Sequence, residues 1–265
     1  MIVGNYSTGG IIKKRNWFFG FFVSFLLLGC SQETYENKDI LSTQVNDVRN
    51  KDTFHIVVPE LIDSTSPKLI KAGLVNVKTI NPLIRVELKY ASDDNFMQTN
   101  VYGGFKEAYL QPKVAARLGK AQDYLTSNHP GYFILIYDAV RPKFVQKIMW
   151  DLLDSIPFRD RVKFVSNPSR GSVHSFGCAV DVTLWKEGYG PIDMGANYDD
   201  MRKIAYPELE SHFLSTGELT KEHYENRQLL RKAMKQGGFW VIPTEWWHFN
   251  AHSREKAKLL YKEIE

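Results

Sequence analysis

The chain is poor in cysteine. Only Cys30 and Cys178 occur among 265 residues, too few for a disulfide framework. It also lacks an apolar run of about twenty residues, the length needed to cross a hydrocarbon core. The formal charge is only +4, and no basic stripe with interleaved aromatics follows the first fifteen residues, which argues against nucleic-acid binding. Internal repeats and low-complexity blocks are absent, and so is the helical His-Glu-x-x-His metal pattern. What is present is apolar material. Hydrophobic residues at 43% and aromatics at 13% suffice for a sizeable core, so wholesale disorder is not expected. The length accommodates one ordinary domain plus additional segments.

The N-terminus carries a compartment signal. Lys13-Lys14-Arg15 precede an apolar stretch from Trp17 to Leu28, broken only by Gly20 and Ser24, and Gly29-Cys30-Ser31 follow. Charged, apolar and small residues in that order are those of a signal peptide. Leu27-Leu28-Gly29-Cys30 resembles the lipobox of bacterial lipoproteins. That resemblance implies a signal peptide over 1–29 and lipidation at Cys30. The chain would then be exported, anchored to a membrane by lipid, and face the periplasm or cell envelope. An ordinary cleaved signal and a short membrane anchor are the alternatives. With Cys30 so used, Cys178 stands alone among small or apolar neighbours, where a buried hydrophobe is expected rather than a nucleophile.

Residues 30–75 are rich in Ser, Thr, Asn, Asp and Lys and read as a tether with a loosely structured lead-in. Residues 76–265 read as one catalytic domain. Leu83 to Tyr90 alternates with period two and predicts a half-buried strand. Tyr132 to Tyr137 is nearly all apolar and predicts a buried central strand. Ala179 to Leu184 predicts another. Helical spacing occupies Pro112–Tyr124, Lys143–Leu153, Thr220–Gly237 and His252–Ile264. Strands and helices do not alternate regularly, so the expected class is α+β, not a doubly wound parallel sheet.

Two short segments hold the chemistry. One runs Ser172-Val173-His174-Ser175-Phe176-Gly177-Cys178-Ala179-Val180-Asp181, the other Glu245-Trp246-Trp247-His248-Phe249. Imidazole and carboxylate are the nitrogen and oxygen donors that zinc accepts. Seven extended residues from His174 to Asp181 would span roughly 23 Å at about 3.3 Å each, so the chain must fold back for both to reach one ion. Gly177 is the residue best able to permit the bend. A catalytic zinc wants three protein ligands and one open position, and His174, Asp181 and His248 supply the three. Glu245, three residues before His248, is left over as a general base. Nitrogen and oxygen donors do not exclude other divalent metals.

These segments resemble the signatures of the M15 zinc peptidases, which include the VanX-type D-alanyl-D-alanine dipeptidases, the zinc DD-carboxypeptidases and the fold-related hedgehog signalling domain. The resemblance implies one zinc ion per chain held by His174, Asp181 and His248, with Glu245 as catalytic base. It also implies a single domain with a central, mainly antiparallel sheet and flanking helices. Tyr137-Asp138-Ala139-Val140-Arg141-Pro142 is similar to the family's Asp-x-x-Arg-Pro segment, which makes Arg141 the oxyanion-stabilising arginine. Lys89-Tyr90-Ala91-Ser92-Asp93-Asp94-Asn95-Phe96 resembles the dipeptidase Tyr-Ala-x-x-Asn-Phe segment and places Tyr90 in the substrate pocket. Met194-Gly195-Ala196-Asn197-Tyr198-Asp199 resembles Met-Gly-x-x-Phe-Asp, with Tyr198 for Phe, and gives Asp199 the free amino group of a dipeptide. Ser172 matches a serine at the same end of the substrate.

The resemblance implies hydrolysis of D-Ala-D-Ala, or a related dipeptide, to free amino acids. A murein DD-carboxypeptidase or endopeptidase of the same fold, acting on a peptidoglycan-derived peptide, is the first alternative. A metal-containing binding module without activity is the second, and the presence of Glu245 and Arg141 speaks against it.

Overall fold

The computed structural model describes residues 65–265. The signal segment and Cys30 lie outside the described residues. Among those described, no helix is long and apolar enough to cross a membrane.

The end of the lead-in is more regular than its composition suggests. Helix α1 (Thr65–Lys71) buries Leu69, and strand β1 (Val75–Asn76) pairs antiparallel with β3 (Tyr109–Leu110). A short helix α2 (Val77–Ile80) follows β1 directly, its first turn capped by the Asn76 side chain. The predicted strand over 83–90 is mostly not one. Only β2 (Arg85–Val86) joins the sheet, and Lys89–Ala91 turns into a 3-10 helix. The alternation was a correct signal of burial, since Ile84, Leu88 and Tyr90 face inward and Arg85 and Glu87 outward. It misled on length because the Asn95 amide takes the Lys89 carbonyl and two loop amides, Val101 and Tyr102, take that of Tyr90. Those carbonyls are thereby withdrawn from the sheet.

Helix α3 (Pro112–Asn128) buries Val114, Leu118, Ala121 and Leu125, the stripe its 3.6-residue period requires. Its Gln122, also buried, accepts from the Ile134 amide and donates to the Tyr132 carbonyl, which fastens α3 to β4 (Tyr132–Asp138). The main sheet runs β2, β4, β5 (Ala179–Lys186), β8 (Glu245–Asn250) and β7 (Trp240–Ile242), with β6 (Gly190–Pro191) against β5. Only β2 and β4 pair in parallel, so the sheet is mixed and mainly antiparallel. The protein is a mixed α/β domain. β5, in the middle, is buried from Ala179 through Leu184, which suits its apolar run.

Flanking elements are α4 (Lys143–Asp151), α5 (Phe158–Arg161), α6 (Glu210–Thr216), α7 (Lys221–Gln236) and α8 (Arg254–Leu260). α7 opens on a capping box between Thr220 and His223 and packs beside α3. α8 is shorter than its predicted span of 252–264. Ser253 caps its start, and the chain becomes extended at Tyr261 because Ile264 hydrogen-bonds outward on both sides. The Ile264 amide donates to the Ser175 carbonyl at 2.8 Å, and its carbonyl accepts from the Lys143 amide at 2.8 Å. The tail thus braces the turn at 174–176 instead of continuing the helix.

Candidate active site

Sheet register builds the centre. In the β5–β8 pairing Asp181 lies opposite His248, and in the β4–β5 pairing Asp138 lies opposite Asp181, after an irregularity between Ile136 and Asp138. Directly opposed residues have Cβ atoms about 5 Å apart on one face, so these side chains meet without any loop adjustment. His174 arrives differently. It opens a 3-10 turn (His174–Phe176) that ends at Gly177 with φ 62° and ψ 34°, a left-handed conformation. The expected fold-back therefore does occur at Gly177. A Cβ there would also lie 3.2 Å from both the Gln111 amide nitrogen and Leu74 Cδ2.

Three ligand atoms converge. His248 Nδ1 is 2.9 Å from Asp181 Oδ1 and 3.1 Å from His174 Nε2, and the last two are 3.3 Å apart. The tautomers follow from the other ring nitrogens. His174 Nδ1 lies 2.7 Å from the Ala139 carbonyl, which can only accept, so Nδ1 carries the proton and Nε2 presents a lone pair. His248 Nε2 faces Asn250 Oδ1 at 3.1 Å, which leaves Nδ1 as its lone-pair nitrogen. Two imidazole lone pairs and a carboxylate oxygen then point at one another with no donor among them. Such a cluster demands a proton or a metal ion. Tetrahedral bonds of about 2.0–2.1 Å place ligand atoms about 3.3 Å apart, so the donor set and its spacing fit zinc. Burial opposes charge on Asp181, yet both imidazoles hold its carboxyl well below the usual range. Where a proton meets that demand, burial disfavours it on His248, but the hydrogen bond it then makes to Asp181 and the Asp181 charge bring His248 up to about 8.

A second layer fixes these atoms. Tyr198 donates its hydroxyl to Asp181 Oδ2 at 3.0 Å, and Arg141 Nη2 stands 3.7 Å from the same oxygen. Arg141 is held in turn by Asp138, through Nε at 2.9 Å and Nη2 at 2.5 Å, while Tyr102 donates to the other Asp138 oxygen. Asp138 is wholly buried and takes both guanidinium donors on its one oxygen Oδ2, so this ion pair is desolvated and held by two charge-assisted hydrogen bonds. Glu245 takes no part in the cluster contacts. Its Oε2 is 3.9 Å from His248 Nδ1, and burial pushes its carboxyl above the ordinary value.

A cavity of about 200 Å³ opens on this centre, below the roughly 300–1,000 Å³ of sites for drug-sized ligands. Tyr90, Arg141, Ser172, Asp199 and Glu245 line it together with the His-Asp-His cluster, so all the residues proposed from sequence within the domain share one space. Tyr90 donates to both Asp199 oxygens, at 3.2 and 3.1 Å. Burial first, and Asp181's charge second, push Asp199 well above its ordinary value, more than the Arg141 charge offsets, although the residue as a whole is only half-buried. Ser172 accepts the His174 amide through its hydroxyl at 3.3 Å, which ties it to the turn as well as to the cavity. Cys178 is fully buried, with its thiol pushed up to about 12 by burial, as a core residue would be.

Sequence reasoning missed the supporting residues. Asn250 had a usable signal, since it follows His248 by two on a strand and so shares its face. Tyr198 was visible only as a departure from Phe in a motif. The structure shows what the added hydroxyl does. Asp138 was visible only as the aspartate of the Asp-x-x-Arg-Pro segment, with no role attached to it.

Comparison with known proteins agrees with this geometry. The chain is 32% identical over 187 residues to a D-alanyl-D-alanine dipeptidase of Escherichia coli K12, covering 71% of this chain and 89% of that one. It is 30% identical over 180 residues to a D-alanyl-D-alanine dipeptidase of Enterococcus faecalis, covering 63% and 85%. A third protein so named, from Synechocystis, is 28% identical over 176 residues, covering 56% and 71%. Residues 70–263 match the Peptidase_M15 family, described as D-ala-D-ala dipeptidase, and with most of the chain inside that match the protein belongs to this family of metallopeptidases.

Proposed function

We propose that this peptidase hydrolyses D-Ala-D-Ala, or a closely related free dipeptide, into amino acids with one zinc ion per chain. The observation that carries the reading is the convergence of His174 Nε2, Asp181 Oδ1 and His248 Nδ1, with Glu245 beside them and uninvolved. Zinc bound there would act as a Lewis acid that polarises the scissile carbonyl and makes water a nucleophile near neutral pH. Glu245 takes the water's proton and delivers it to the leaving nitrogen, a task helped by a carboxyl raised by burial. Arg141, fixed by Asp138, directs its guanidinium at the charge that develops on the carbonyl oxygen. Asp199, with Tyr90 behind it, pairs with the free ammonium of the substrate, and Ser172 contacts the same end.

The test is alanine release from D-Ala-D-Ala by purified protein, with zinc, with chelator, and in Glu245→Ala. Absence of alanine with zinc present, or an undiminished rate in Glu245→Ala, would sink the mechanism. N-acetyl-D-Ala-D-Ala and a murein pentapeptide distinguish the carboxypeptidase alternative, because cleavage of the acetylated compound at equal rate removes the role of Asp199. A likeness in detail to the hedgehog signalling domain also belongs to this proposal, and superposition on a solved structure of that domain tests it. So does export as a lipoprotein. The lipobox-like segment at Cys30 supports that reading, and loss of fatty-acid labelling in Cys30→Ala tests it.

A further inference from the structure

The proposed assignments account for one end of a dipeptide and leave its carboxylate without a partner. Three long-chain cations line the cavity: Arg141, Lys163 and Arg254. Two of them are already engaged. Arg141 is clamped by Asp138, and Lys163 pairs with Asp160 at 2.7 Å. Arg254 differs. It is half-buried, and its Nε is shielded from water with no hydrogen-bond partner. A buried donor left unpaired is costly, and an anion entering the cavity would relieve it.

Position agrees. Glu245, at one end of β8, is close enough to Asp199 for its charge to push that carboxyl upward. Arg254 follows the other end, four residues beyond Asn250, at the start of α8. The cavity therefore has a carboxylate beside the beginning of the strand and a free guanidinium donor beyond its end, with the cluster's His248 between them on the strand. We infer that Arg254 receives the substrate's C-terminal carboxylate, so that the site reads both charged ends of a free dipeptide. This rests on the dipeptidase reading and sharpens it. Peptides extended at either terminus lose one of two charge pairs as well as the space to fit.

The test compares D-Ala-D-Ala with its C-terminal amide in zinc-loaded wild type, Arg254→Gln, Arg254→Met and Arg254→Lys, with melting curves as a check of folding. Wild type should prefer the free acid by about 10- to 100-fold in kcat/KM. Both neutral variants should bring that preference to within about threefold of unity, the loss falling on KM for the acid and not on kcat. Arg254→Lys should keep most of the discrimination, an outcome that a purely structural role for Arg254 would not produce. Equal cleavage of acid and amide by wild type, or an unchanged preference in folded Arg254→Gln and Arg254→Met, overturns the role of Arg254 alone. Cleavage of neither compound by zinc-loaded wild type overturns the dipeptidase reading, and this inference with it.

Discussion

The His-Asp-His corner and the segment 193–199 sit on one cavity but are built by opposite means. In the corner, two of three cluster residues are placed by strand register, and hydrogen bonds to Ala139 and Asn250 fix both imidazoles. The segment that carries Asp199 has no regular structure, and Asp199 itself has a left-handed backbone at φ 60°. It is held from outside by side chains. Arg227 of α7 donates to the Met194 carbonyl at 2.7 Å, Asn226 to that of Asp193 at 2.9 Å, and Trp246 of β8 to that of Ala196 at 3.1 Å. A reactive centre tolerates little error, and backbone pairing supplies that precision cooperatively. A specificity loop held by separable tethers can change its substrate without disturbing the sheet.

This contrast predicts a hierarchy of effects. Chelation, or His248→Ala, should abolish turnover to background while the melting curve of the chelated protein keeps one cooperative transition. Zinc content by elemental analysis and alanine release are the measurements. Glu245→Gln should lower kcat by about 10²- to 10⁴-fold, the range for a general base, and leave zinc content intact. Loss of zinc in that variant would place Glu245 in the cluster instead of beside it.

Further out, Asn250→Ala should lower zinc affinity by about 10- to 100-fold, the usual cost of removing a partner of a ligating imidazole. Competition with a chromophoric chelator reads this directly. Asp199→Asn should act on the other region. Its expected effect is about a tenfold rise in KM for the free dipeptide, with zinc affinity unchanged and no penalty toward the N-acetylated compound. Should Asn250→Ala alter KM alone, or Asp199→Asn expel zinc, the two regions are one unit and the comparison fails.

The same division governed what the sequence could reveal. Strand β5 and helices α3 and α7 were legible because their apolar periods match the faces they bury, as Leu118 and Leu230 show. Gly177 was legible as a bend because seven residues cannot otherwise return to one point. The end of β2 and the stop at Tyr261 were not, since each is set by distant partners: Asn95 and the loop amides for one, Ser175 and Lys143 for the other. Local periodicity carries no trace of such long-range bonds. In the segment 193–199 nothing periodic marks Asp199, and only its likeness to a dipeptidase motif singled it out.

The smallest expected effect lies in the tethers. Arg227 is fully buried and also bonds the Ile204 carbonyl and Glu210, so its removal would disturb several segments at once. Asn226 touches the loop through one exposed hydrogen bond and is the cleaner probe. An exposed bond is worth about 0.5 kcal/mol net, near the lower bound for such bonds, which corresponds to roughly a twofold change. Asn226→Ala should therefore raise KM for D-Ala-D-Ala about twofold, leave kcat and zinc affinity where they were, and shift the melting temperature little. Because the tether acts on the Asp199 loop and not on β5 or β8, the change should vanish in an Asp199→Asn background. A double-mutant cycle on KM measures that coupling. If Asn226→Ala lowers kcat instead, or if its effect adds independently to that of Asp199→Asn, the loop is not positioned from α7 in the way its hydrogen bonds indicate.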